Sequence, residues 1–221
     1  MREKIIFSWG SGKDSVLSLY ELRKTGKYET VALLTTISKE FNRVSFHGVP
    51  AILVEKQADS IGIPIDKIIL TASSSVEEYA SKLEETLLKY KKRRIKKIVY
   101  GDIFLEDLRE FRIKCLDKMG MEGIFPLWKR NTKELIETFI NLGFKAITTS
   151  VDSKVLDKSF VGRMIDKNFL NDLPENVDPC GENGEFHTFV FDGPIFREKI
   201  NFSIGKIVLR DSFYYCDLIG G

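Results

Sequence analysis

Short apolar runs at residues 5–7, 30–36, 65–70 and 98–100 alternate with longer amphipathic stretches at 15–24, 50–61, 76–90 and 106–119. The short runs have the composition of buried strands. Val16, Leu17, Leu19, Tyr20 and Leu22 sit near helical spacing in the first long stretch. Gly26 stops that helix, Pro64 leads into the third strand, and Ser75 followed by Glu77 and Glu78 marks the start of the longest helix. Strands alternating with helices specify βαβ units, so the expected class is α/β: a parallel twisted sheet with helices on both faces. Ligands of such sheets sit outside the carboxyl ends of the strands. Residues 8–15, 37–48 and 101–104 lie at those ends and should converge on one site.

Beyond residue 123 the pattern changes. A helix is expected over 132–142, ended by Gly143, then a strand over 145–150 and a helix over 161–173. A loop without apolar periodicity occupies 174–185. Strand-like 186–191, a turn at Asp192-Gly193-Pro194 and strands near 204–209 and 213–218 follow. This reads as a smaller α+β domain over 124–221, behind a first domain over 1–123. No Ser/Gly-rich linker separates them, which implies that they pack together.

At 221 residues and 43% hydrophobic, the chain can bury a substantial core. Its formal net charge of +2 provides no global basic field for a nucleic-acid partner. The three cysteines, Cys115, Cys180 and Cys216, are far apart and lack metal-binding spacing, so a disulfide scaffold or zinc cluster is not expected. The run at 5–7 is too short for a signal-peptide core, and no apolar stretch is long enough to span a bilayer. The expected location is cytoplasmic.

The loop Ser8-Trp9-Gly10-Ser11-Gly12-Lys13-Asp14-Ser15 joins the first strand to the first helix. Glycines let backbone N–H groups approach an anion. The helix start adds unpaired donors and a positive dipole end. Ser11 and Ser15 add hydroxyls and Lys13 a compact charge. The loop is not a Walker A motif, because Phe7 sits where the first glycine belongs and Asp14 where the Ser or Thr belongs. Nor is it a dinucleotide fingerprint, because Ser15 replaces the last glycine. An unliganded turn is the bland alternative.

Other positions keep two readings open. In Phe46-His47-Gly48-Val49, His47 is a surface or capping residue or a nucleotide contact, with Gly48 beside it. In Gly101-Asp102-Ile103, Asp102 is a turn aspartate or orients a ribose or a magnesium-bound phosphate. Arg109 and Arg112 could reach phosphate or pair with neighbouring acids. Trp9 and Trp128 pack or stack. The basic run 89–97 is a solvated helix end or docks an acidic or RNA-bearing partner. The stretch 178–194, which contains Glu182 and Glu185, is a solvated turn or a binding loop.

Residues 8–15 resemble the SGGxDS pyrophosphate loop of the ATP-pyrophosphatase (PP-loop, HUP-type) enzymes. Gly12-Lys13-Asp14-Ser15 matches it, while Gly10 and Ser11 exchange the usual serine and glycine. Together with Gly101-Asp102-Ile103 and Pro126-Leu127-Trp128, the segment Gly181-Glu182-Asn183-Gly184-Glu185-Phe186-His187-Thr188-Phe189 and its later Asp192-Gly193-Pro194 resemble the signature of the diphthine–ammonia ligase family, EGGEYETF followed by DGP. Asn183, Phe186 and His187 depart from it, replacing a glycine, a tyrosine and a glutamate.

The resemblance implies an ATP-dependent C–N ligase that uses ATP with Mg2+. A carboxylate is adenylated, pyrophosphate leaves, and ammonia attacks to give an amide and AMP. It implies the diphthine side chain of translation elongation factor 2 as acceptor, with another, small-molecule carboxylate as the alternative. A non-catalytic nucleotide sensor is the reading from another class. The expected ATP contacts are Ser8 through Ser15, His47, Gly48, Gly101 and Asp102. The expected acceptor contacts are Glu182, Asn183, Gly184, Glu185, Phe186 and Thr188. Lys13, Asp14, Glu182 and Glu185 are the expected catalytic residues. No protein-built metal cluster and no membrane partner are expected, and a homodimer is allowed.

Overall fold

In the computed structural model, which describes residues 2–45, 47–71 and 73–220, two sheets share one packed interior. Phe46, in one of the segments singled out above, lies outside the described residues. In the first sheet β1 (Glu3–Ser8), β2 (Tyr28–Ser38), β4 (Ile65–Leu70), β5 (Lys97–Val99) and β6 (Glu122–Ile124) run parallel, in the order β4-β2-β1-β5-β6. The short β3 (Arg43–Val44) pairs antiparallel with the end of β2. Helices α1 (Lys13–Thr25), α2 (Ala51–Ile61), α3 (Val76–Lys92) and α4 (Glu106–Asp117) make the connections. Strand order reverses beside β1, with β2 on one flank and β5 on the other. That is the switch point where an open α/β sheet leaves a crevice.

The second sheet is antiparallel, ordered β8-β7-β10-β9, from β7 (Lys145–Asp152), β8 (Phe186–Asp192), β9 (Phe202–Arg210) and β10 (Phe213–Gly220). It is preceded by α5 (Thr132–Asn141), whose N-cap Asn131 accepts from the Glu134 N–H at 3.0 Å. One cluster of buried apolar side chains holds Phe7, Leu33 and Val99 from the first sheet together with Phe186, Phe189 and Cys216 from the second. The two sheets therefore form one packed body, and β8 of the second packs on the loop that follows β1.

The helix expected over 161–173 shrinks to α6 (Lys167–Asp172). Residues 162–165 instead run along β7, where Gly162, Arg163 and Ile165 exchange backbone hydrogen bonds with Thr148 and Ala146 at 2.9–3.0 Å. Gly162 adopts φ 80°, and the Asp166 carboxylate caps the helix only afterwards, accepting from Phe169 N–H at 2.8 Å. Strand β6 was not expected. Gly123 sits at its centre, so it shows neither an apolar run nor alternation, and pairing with β5 creates it. No helix of the described residues is long and apolar enough to cross a membrane.

Candidate active site at the glycine loop

The chain leaves β1 at Ser8 and enters α1 at Lys13, with Gly12 as an N-cap that offers no side-chain cap. The helix start therefore has no cap from its own N-cap residue, and a positive dipole end and N–H groups of this kind suit an anion. Two segments, β8 and the residues just past β5, close on the loop. A Cβ on Gly12 would sit 3.0 Å from the Thr188 carbonyl oxygen of β8, and one on Gly101 would sit 3.2 Å from the Asp14 carbonyl carbon. Thr188 Oγ1 accepts from the Lys13 N–H at 3.1 Å, and Ser15 Oγ accepts from Gly10 N–H at 3.1 Å.

Ser11 stands at φ 65°, the left-handed region that favours glycine, and its buried hydroxyl has no partner among the described residues. What holds it there was invisible in the sequence. Gln57 of α2, fully buried, donates from Nε2 to the Ser11 carbonyl at 2.9 Å and to the Val190 carbonyl at 2.6 Å, and its Oε1 accepts from Trp9 Nε1 at 2.7 Å. Val190 N–H also donates to the Ser11 carbonyl, at 3.1 Å. Trp9 is thus a packing residue: its indole N–H is taken by Gln57, and its backbone N–H donates to Leu34 at 2.7 Å. Replacing Ser11 with glycine removes both a left-handed non-glycine residue and an unpaired hydroxyl. We expect Ser11→Gly to raise the stability of the free protein by about 1 kcal/mol. Thermal melts check this, and calorimetry with ATP reports whether the hydroxyl serves the nucleotide, in which case affinity falls.

Lys13 is 4% exposed, with its Nζ 2.9 Å from Asp14 Oδ2 and 5.3 Å from the centre of the Phe186 ring. Burial opposes its charge, but Asp14 foremost, then Cys180 and Glu182, outweigh it, and the ammonium titrates above the ordinary lysine range. Burial raises the Asp14 carboxyl, with Lys13 working against that rise.

Glu182 reaches from the second half of the chain to the first. Its Oε1 accepts from the Ile103 N–H at 2.7 Å and the Phe104 N–H at 3.3 Å, just past β5. Burial, then the neighbouring Asp14 charge, pushes its carboxyl up to about 7. A carboxyl raised by folding holds more protons in the native state, so stability is greatest below the ordinary value of 4.5 and falls as pH rises toward 7. Glu182→Gln keeps an oxygen for both N–H groups. We expect it to melt with about 2 kcal/mol less loss of stability between pH 5 and 8 than the wild type, read from denaturant titrations at both pH values.

Glu185 is buried. Its Oε1 accepts from Asp178 N–H at 3.0 Å and Asn183 Nδ2 at 2.9 Å, while Oε2 has no partner among the described residues. Asp178, overlooked in the sequence, organises this loop: its Oδ2 accepts from the N–H groups of Cys180 at 3.1 Å and Glu182 at 3.0 Å. Asn183 is exposed, and Gly184 takes φ 89° in the turn.

Of the other expected residues, His47 joins the cluster, its ring lying against Gly10 and Gly12. A Cβ on Gly48 would meet the Tyr215 ring at 2.9 Å, and Arg43 ties the Gly48 carbonyl, at 2.8 Å, to Asp217 of β10. Asp102 is engaged elsewhere. Its carboxylate meets Arg112 at 2.7 Å, and that guanidinium lies 4.1 Å from the Tyr100 ring centre. Arg109 packs on Phe125 and Trp128, at 5.1 and 4.8 Å from their ring centres. Asp102 is therefore paired with a cation rather than turned to Lys13. Gly101, beside it, does touch the loop.

A model of the diphthamide synthase N-terminal domain matches residues 1–123, and one of the C-terminal domain matches residues 131–218. The chain belongs to the diphthamide synthase family. Diphthine–ammonia ligases of Bos taurus and Homo sapiens are each 24% identical to it over 224 residues, covering 91% of this chain and 83% of theirs. That of Danio rerio is 27% identical, covering 90% of this chain and 86% of its own. Family and fold agree with the ATP-dependent C–N ligase read from the motifs. The glycine loop, matched by the N-terminal model, thus meets Thr188 of the part matched by the C-terminal one, while Glu182 of that part bonds Ile103 and Phe104 just past β5.

Proposed function

We propose that the chain amidates a carboxylate in diphthamide biosynthesis, with the diphthine side chain of elongation factor 2 as acceptor. The observation that carries this is Lys13, buried and charged at the helix start behind a glycine loop, paired with Asp14 and in the field of Glu182 from the second half of the chain. The acceptor carboxylate oxygen attacks the α-phosphorus of ATP and pyrophosphate leaves. Lys13 and those loop N–H groups not already taken by Ser15 Oγ and Thr188 Oγ1 would stabilise the departing charge. Ammonia then attacks the acyl carbon, AMP leaves, and the nitrogen loses a proton. Glu185, whose Oε2 is buried without a partner, suits the ammonium and the cationic trimethylammonium of diphthine, and would take that proton.

Residues 1–123 would bind ATP, and residues 124–221 would select the acceptor, with Asn183, Phe186 and Thr188 at the junction. The bonds of Glu182 to Ile103 and Phe104 support a role in joining the two rather than in acceptor binding alone. Magnesium would arrive with ATP. No group of three His, Cys, Asp or Glu able to hold a metal exists among the described residues, whereas Asp14 is partly exposed beside the loop. One protein carboxylate plus phosphates is an ordinary magnesium environment, and the ion would neutralise phosphate charge. The enzyme would act in the cytoplasm, as a monomer or homodimer.

The test is the product of ATP turnover. AMP and pyrophosphate should form without net ADP, and labelled pyrophosphate should exchange into ATP only when diphthine-bearing elongation factor 2 is present. Steady ADP release would refute the adenylation step.

A further inference from the structure

We propose that His47 and His187 form a proton-binding contact for the nucleotide phosphates: both rings are neutral in the free protein, and one takes up a proton when the phosphate chain enters the glycine loop. The inference rests on the ATP-binding reading given above.

The chain has two histidines, and they meet. His47 comes from the turn between β3 and α2, His187 from β8 of the other sheet, and their ring centres are 4.6 Å apart with planes at 38°. The pair sits on the loop. A Cβ on Gly10 would lie 3.1 Å from His47 Nε2, and one on Gly12 would lie 3.4 Å from His47 Cε1. His47 Nδ1 is buried and without a partner among the described residues, an arrangement proteins usually avoid unless something else comes to satisfy it.

The groups facing the rings all oppose a proton in the free protein, except one backbone contact. Lys13 of α1 acts on both rings, each sits beside the other, and the Thr188 backbone of β8 hydrogen-bonds with His47. Asp14 of α1 is paired with Lys13 at 2.9 Å. Burial first, then Lys13, brings His47 down to about 4, and burial, His47 and Lys13 bring His187 well below the usual histidine value.

A phosphate chain on the loop reverses the electrostatic sign. It neutralises the Lys13 field and puts an anion against rings that now have a reason to be charged. The protonated state is thus a property of the complex, and affinity should rise as pH falls until the free protein itself begins to titrate. His187 is the residue that makes this a pair. A carboxylate at the same position would repel phosphate at the same spot, so the histidine turns this wall of the crevice from acceptor to conditional donor.

Because the untagged chain has two histidines, long-range proton–nitrogen spectra display two ring systems, assignable with His187→Gln. At pH 6.5 both should show the neutral pattern in the free protein. Adding a non-hydrolysable ATP analogue with magnesium should move one ring to the imidazolium pattern. Calorimetry should show affinity for the analogue rising ~tenfold more from pH 8 to pH 6 in the wild type than in a His47→Gln/His187→Gln double variant, a comparison that cancels titration of the ligand. Two neutral rings in the bound complex, or a charged ring before the analogue is added, would overturn the inference while leaving ATP binding intact. An analogue that does not bind at all would remove the ATP reading and this inference together.

Discussion

Lys13→Ala is expected to lower ATP cleavage by about a hundredfold or more, since one preorganised donor to developing charge carries ~3 kcal/mol. Its ammonium is placed before any ligand arrives, held against Asp14 at 2.9 Å and over the Phe186 ring at 5.3 Å. No reorganisation is needed at the moment of reaction. The fold should survive, because the substitution removes a cation whose burial is itself unfavourable, and partly exposed Asp14 can take up water or a proton. Lys13→Arg should rescue poorly, because a planar fork does not replace a point charge in a closed space. Quantifying AMP formation alongside a circular-dichroism melt checks both halves. Normal turnover by a folded Lys13→Ala protein would take Lys13 out of the pyrophosphate site.

Gln57→Leu is expected to cost about 4 kcal/mol of stability, the largest effect we foresee from a residue away from the chemistry. Leucine is near in size but strands the Trp9 indole N–H and the Val190 carbonyl, both buried, at ~1–3 kcal/mol each, and lets go of the Ser11 carbonyl. For a chain of this length that corresponds to a fall of roughly 10 °C in melting temperature. Ser11, left-handed without the help of a glycine, should then relax, so ATP affinity should drop as well. In a Ser11→Gly background the loop is permitted its conformation, and the affinity loss caused by Gln57→Leu should shrink while the stability loss remains. Equal affinity loss in both backgrounds would mean that Gln57 does not hold the loop.

Much of the first half was legible because its signals are local. Apolar period, the capping Ser75 and the stop at Gly26 place β1, β2, α1 and α3 from a few residues each. A glycine-rich turn between strand and helix marks an anion site through its local chemistry alone. The loop of residues 178–194 could be recognised by its motif, yet its geometry could not be derived, since it has no periodicity. Residues 161–173 misled because Ile165 and Phe169 sit at helical spacing, while the backbone of 162–165 had a better partner in β7.

By itself, then, the sequence determined the parallel α/β class, the glycine loop between strand and helix, and the family, all properties of contiguous stretches. Tertiary structure alone decided what each side chain does at the crevice. Asp102 and Glu182 are both acidic loop residues, but one is paired with Arg112 and the other clamps Ile103 and Phe104 beside Lys13. Gln57 reads as an ordinary polar residue of α2 until β8 arrives to share it with the loop. His47 and His187 become neighbours only when the two sheets close on one core. The physical reason is that a buried polar group is defined by the partner that satisfies it, and, the Asp102–Arg112 pair apart, these partners come from elements far apart in the chain.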